Sequence, residues 1–162
     1  MLAGAIAARY SLYVLAVDQI LSCLMPGSDR RELDRIVGYR AMLLIARELL
    51  QRSHSVLLDA TFTTNVSRTA LARLTSEVHC RMHLIQCRVS PEVAATRFVQ
   101  RVGHPAIDLD MDRVRSLALN YPYQKDGLIV DNDRPVSVTL QQVDEYLQQE
   151  PRFSEAGVDR PI

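Results

Sequence analysis

The sequence predicts an α/β protein with three layers, a parallel sheet carrying helices on both faces. Three observations carry this reading. Short, continuously apolar runs recur along the 162 residues: Tyr13–Val17, Val56–Leu58, Met82–Cys87 with one glutamine, and Gly127–Val130. A parallel strand covered on both faces is apolar throughout rather than alternating. Segments with helical periodicity separate the runs, and strands alternating with helices build a parallel sheet with right-handed crossovers. Finally, an acid directly follows three of the runs, Asp18, Asp59 and Asp131. Open α/β sheets place their ligands at the carboxyl ends of their strands.

The elements follow in order. Leu2–Arg9 is rich in alanine and leucine and reads as a helix with no capping residue before it. The strand Tyr13–Val17 leads through Asp18 into a short helix, Gln19–Leu24. Pro26-Gly27-Ser28-Asp29 is a turn, and Ser28 or Asp29 can cap a long helix reaching about Arg52. Leu33, Ile36, Val37, Met42, Leu43 and Ala46 give that helix a broad apolar face. Val56–Leu58 is the next strand, ending at Asp59, and a helix from about Val66 to Glu77 carries Arg68 near its start. Met82–Cys87 is the third strand. Ser90-Pro91 opens a helix to about Val102, serine at the cap and proline at the first helical position. Arg97 and Arg101 lie on one face of it, four residues apart. Asp108–Asp112 opens another helix holding Arg113, and Tyr121-Pro122-Tyr123 stops it. Gly127–Val130 is the fourth strand, ending at Asn132-Asp133-Arg134-Pro135, and Val138–Leu147 is the last helix. Residues 1–150 form one domain on this reading, with residues 151–162 as a tail.

Composition narrows the function. With 19 basic and 19 acidic residues the formal net charge is zero, so no basic field argues for nucleic acid. All the Lys/Arg residues except Lys125 are arginine, whose planar fork suits phosphate, although codon bias yields the same composition. Cys23, Cys80 and Cys87 form no CxxC pair, and the four histidines lack metal-ligand spacing. A reducing, cytoplasmic setting fits the cysteines. No run reaches the length of a membrane span.

The stretch Ser55–Phe62 resembles the second acidic motif of the small P-loop kinases. These are AAA-type ATP-binding domains that include zeta-toxin-like, gluconate-kinase-like and polynucleotide-kinase-like phosphotransferases. The resemblance runs from about Leu2 to Leu147 and rests on the order and spacing of several motifs. It implies ATP and Mg2+ as cofactors and a hydroxyl compound as acceptor. By this resemblance Asp59 holds magnesium through water, and Asp18 binds the acceptor hydroxyl and takes its proton. Arg97 and Arg101, with Arg113 as a third, match the lid. Asn132, Asp133, Arg134 and Pro135 match the loop beside the adenine, and Arg68 matches a basic residue near substrate or phosphates. Each position has a plainer reading: Asp18 and Asp59 as helix caps, the arginine pair as a solvated face, Asn132–Pro135 as a turn.

One part of the family pattern is absent. No G-x-x-x-x-G-K-[ST] run occurs in the sequence, and its one lysine, Lys125, falls far too late. Leu2-Ala3 resembles the pair just after such a loop. The family's first strand would lie between the strands Ser55–Asp59 and Met82–Cys87. The expected fold is therefore P-loop kinase-like but missing its central first strand, with open sheet edges available for self-association. The expected function is transfer of the γ-phosphate of ATP to a small-molecule hydroxyl in a complete form, with weak or no activity for the chain as written. The alternative is a non-catalytic α/β binding or assembly module.

Overall fold

A computed structural model describes residues 2–100 and 109–149. They form α1 (Leu2–Tyr10), β1 (Tyr13–Ala16), α2 (Val17–Leu24), α3 (Glu32–Gln51), β2 (Val56–Asp59), α4 (Asn65–Glu77), β3 (Ile85–Arg88), α5 (Pro91–Gln100), α6 (Met111–Asn120), β4 (Leu128–Asp131) and α7 (Val136–Gln149). Two β–α–α–β units follow one another, with α4 between them and α1 and α7 at the flanks. No described helix is long and apolar enough to cross a membrane.

Within each unit the two strands pair in parallel. Tyr13 stands opposite Val56 and Ala16 opposite Asp59; Ile85 stands opposite Leu128 and Arg88 opposite Asp131. Among the described residues no ladder joins the two pairs. The break falls between the pair holding β2 and the pair holding β3, the position given above for the family's first strand.

Helices join what the ladders leave apart. Leu2 and Ile6 of α1, Val130 of β4 and Val143 of α7 form one buried cluster, and Leu57 of β2 and Ile85 of β3 pack against it. One apolar layer thus spans both strand pairs, and each such side chain stabilises the fold by roughly 1.5–3 kcal/mol when fully buried. Helices α2 and α3 also pack together, and Leu21, Met42 and Ala46 on them are buried. Gly38 allows this approach, since a Cβ there would stand 3.3 Å from Val17 Cγ2.

Several boundaries differ from the sequence reading. Strand β1 stops at Ala16, and Val17 already belongs to α2. Strand β3 begins at Ile85 rather than Met82, because ladder pairing starts only where the Leu84 carbonyl accepts from the Leu128 N–H (2.9 Å). Neither Ser28 nor Asp29 caps the long helix, which starts at Glu32 after Arg31. The Ser28 hydroxyl is engaged elsewhere, donating to Asp34 Oδ2 at 2.5 Å and accepting from the Arg30 N–H at 3.0 Å. The final helix starts two residues earlier than Val138, directly after Pro135.

Candidate functional site

Strand β1 runs into α2 without a loop, so Asp18 falls in the helix's first turn, two residues after the end of the strand. It is not the cap. That position is Ala16, which makes no side-chain capping bond. The Asp18 carboxylate lies 3.4 Å from Nη1 of Arg30 and keeps 46% of its side-chain surface exposed. Arg30 itself is buried. Its guanidinium also donates to the Asp18 carbonyl (3.4 Å) and to Ser22 Oγ (2.5 Å). The Arg30 backbone is left-handed, φ +57°, and the Arg35 side chain holds its carbonyl at 3.0 Å. An arginine buried beside one carboxylate is costly to desolvate unless hydrogen bonds satisfy it, as they do here. Nothing in the sequence singled out Arg30, since a turn arginine is ordinarily solvated.

Asp59 ends β2 and is exposed. The next helix is capped by Thr64, whose hydroxyl accepts from the Ser67 N–H, so Asp59 is not a cap either. Because Ala16 faces Asp59 in the ladder, both acids stand at the carboxyl end of one strand pair. Among the described residues no group of three or more His, Cys, Asp or Glu could enclose a metal. The Asp59 carboxylate is exposed, and Mg2+ binds proteins through as few as one or two carboxylates while keeping several waters.

The loop after Asp59 is fixed from three directions. Phe62 is buried with φ +45°. Its N–H donates to the Tyr39 hydroxyl at 3.0 Å, and that hydroxyl lies 3.2 Å from Thr61 Oγ1. The Tyr121 hydroxyl donates to the Thr61 carbonyl at 2.5 Å. Arg68 donates to the Phe62 carbonyl (2.7 Å) and the Pro122 carbonyl (3.4 Å). Arg68 therefore ties two loops together.

A second group gathers at the other strand pair. A pocket of about 210 Å³ is lined by Val89, Ala94, Arg97, Phe98, Leu109, Val114 and Asn132. Typical small-molecule sites enclose about 300–1,000 Å³, so this pocket is smaller than most. Of the residues read from the sequence, Arg97 and Asn132 share this pocket. Asp133 and Arg134 serve the loop instead. The Asp133 carboxylate accepts from the Ser90 N–H (3.1 Å), and Arg134 Nε lies 3.4 Å from Asp131 Oδ2. The Pro135 carbonyl accepts the Val138 N–H in the first turn of α7. Arg113 is exposed near the start of α6, and Arg101 lies outside the described residues.

The two groups stand at the same end of the fold. The Asp59 carboxylate acts on the Cys87 thiol, which is raised above its ordinary pKa first by burial and then by that charge.

A family described as an AAA domain matches residues 1–121. The match takes in Asp18, Asp59, Arg68, Arg97, Arg101 and Arg113 and stops short of Asn132. No curated protein matches the chain. Among solved structures, a protein of Chloroflexus aurantiacus J-10-fl described as a "putative kinase" superposes with a TM-score of 0.71. It is 22% identical, and the match covers 91% of this chain and 90% of that one, a likeness that speaks for the fold. With two parallel strand pairs and seven helices among the described residues, and a family match over residues 1–121, the chain belongs to the AAA domain family and has a P-loop kinase-like α/β fold.

Proposed function

We propose that the protein is an ATP-dependent kinase acting on a hydroxyl of a small molecule, in a form that carries a glycine–lysine phosphate loop. The observation that supports this most is the register of β1 on β2. With Ala16 opposite Asp59, both acids stand at the end of the sheet where such folds bind ligands. Asp18 takes the proton of the acceptor hydroxyl as that oxygen bonds to the γ-phosphorus. The bond from phosphorus to the bridging oxygen breaks, and ADP leaves. Asp59 would hold Mg2+ through water, and the ion supplies charge neutralisation for the phosphates. Arg97 and Arg101 serve the transferring group, and Asn132 sits beside the base. The balance of 19 basic and 19 acidic residues favours a small acceptor over a nucleic acid.

For the 162 residues alone we infer weak ATP binding, because the sequence contains no G-x-x-x-x-G-K-[ST] run. The backbone nest and lysine of that loop are the main grips on phosphate. A micromolar dissociation constant for Mg·ATP would overturn this inference. The break between the two strand pairs among the described residues favours a second reading, a non-catalytic module whose strand edges are completed by a partner.

The test is the intact mass of the protein isolated from its native cell. A mass above 18.3 kDa, with a glycine–lysine loop in the added residues, supports the kinase. Asp18→Asn and Asp59→Asn should then each abolish turnover with little loss of stability. A mass equal to 18.3 kDa sinks the kinase reading in favour of the module, whose partner binding both substitutions should leave intact.

A further inference from the structure

We propose that Tyr121–Gln124 is a strap that fixes the spacing between the two halves of the proposed site, with Tyr121 and Tyr123 as positioning residues. This rests on the kinase reading only for its purpose; the strap itself stands on geometry. One half carries Asp18 and Asp59 on the β1–β2 pair, and the other carries Arg97 and Asn132 beside the β3–β4 pair. No ladder joins the pairs among the described residues. Four consecutive residues reach both.

On the acid side, the Tyr121 hydroxyl donates to the Thr61 carbonyl (2.5 Å), and the Pro122 carbonyl accepts from Arg68 (3.4 Å). Thr61 lies two residues beyond Asp59, so the strap grips the loop that follows the acid. On the pocket side, the Tyr123 hydroxyl donates to the Cys87 carbonyl (3.4 Å). The Gln124 N–H donates to Gln86 Oε1 (2.7 Å), and Gln86 Nε2 returns bonds to the carbonyls of Gln124 (3.1 Å) and Asp126 (3.2 Å). Gln86 is 5% exposed, so a buried strand residue is wholly given to this segment. Within the strap, the Tyr121 and Tyr123 rings meet edge to face at 4.8 Å, and the Tyr123 N–H bonds the Tyr121 carbonyl. Proline between them restricts the backbone further. Burial raises both phenols above their ordinary pKa, so they remain neutral donors across the physiological range.

Phosphoryl transfer depends on holding donor and acceptor in line, and displacements of about 1 Å cost rate heavily. The apolar layer under α1 and α7 joins the halves on one side, and the strap ties them at the ligand-binding end.

Spin labels test this without any turnover. They are placed at Arg40→Cys on α3 and Glu92→Cys on α5, both exposed, with Cys23, Cys80 and Cys87 changed to serine. Pulsed dipolar spectroscopy of this protein should give a single narrow distance. Tyr121→Phe combined with Tyr123→Phe removes only two oxygens and should broaden the distribution by several ångströms, with a longer population. Should the pair of changes unfold the protein, each single change is read by the same criterion. An unchanged distribution, even with a lowered melting temperature, overturns the strap and leaves these tyrosines a stabilising role only. Titration of Mg·ATP into the loop-bearing form is separate. Failure there refutes the kinase reading whatever the distances show.

Discussion

The phenol of Tyr10 donates a 2.5 Å hydrogen bond to Asp144 Oδ1, joining residues 134 positions apart, and Arg9 meets the other carboxylate oxygen at 2.6 Å. This contact clamps α1 to α7 over the cluster that spans both strand pairs. The hydrogen bond to Asp144 is the main reason that Tyr10 is raised above 10.0. A raised acid is stabilising below its unfolded pKa, and that contribution disappears as pH rises through the folded value. Urea unfolding should therefore show stability falling above about pH 10 in the wild type. Tyr10→Phe should cost about 1 kcal/mol at pH 7 and remove that part of the alkaline loss.

Glu77 behaves in the opposite sense. Arg73 lies 2.7 Å from one oxygen and Arg47 meets the other, and the Arg73 hydrogen bond leads in lowering its pKa from 4.5. Its contribution is present above the unfolded value and is lost as pH falls through the folded one. Glu77→Gln should flatten the thermal stability curve on the acid side. Because the site is exposed, added salt should produce much of the same flattening in the wild type.

Gln86 is the buried polar group with most to lose. Gln86→Leu keeps the volume but strands the Gln124 N–H and the carbonyls of Gln124 and Asp126. Gln124 is half-buried and Asp126 exposed, so water recovers part of these bonds, and chemical denaturation should show a loss of about 1 kcal/mol.

Two glycines should answer alanine in opposite directions. At Gly127, φ is +93° and a Cβ would lie 2.6 Å from the Leu84 carbonyl oxygen. Gly127→Ala should cost at least about 1–3 kcal/mol from backbone strain alone. Gly4 sits exposed in α1 with nothing within 4 Å of such a Cβ. Gly4→Ala should stabilise by about 1 kcal/mol. Thermal melts of the two variants should move apart.

The strands and helices were legible because their signals are local. Continuous apolar runs gave all four strands to within three residues, and Asp18 and Asp59 stood out by following two of them. The capping alternatives could be excluded only in three dimensions, through Ala16 and Thr64 in the capping positions. Arg30 was illegible because its burial depends on Ser22 and Asp18 across a turn. Tyr121-Pro122-Tyr123 was read as a stop, which it is, but its hydroxyls act on residues 36 and 60 positions away. Arg68, Asp133 and Arg134 were placed by family resemblance, and their contacts with backbone groups or a neighbouring acid lie with residues that no local pattern marks.

The two strand pairs also bear on how the chain acquires its shape. Tyr13 pairs with Val56 and Ile85 with Leu128, so paired residues stand 43 positions apart in both units and each unit is a continuous piece of chain. Non-local parallel pairing is slow, because loop closure must precede its reward. On a ribosome, where domains form as the chain emerges, the first unit can assemble while the second is still being made. The cluster beneath α1 waits for Val143. Until α7 emerges, Leu2, Ile6 and Leu57 lack their final cover, and the nascent protein is most exposed to aggregation in that interval.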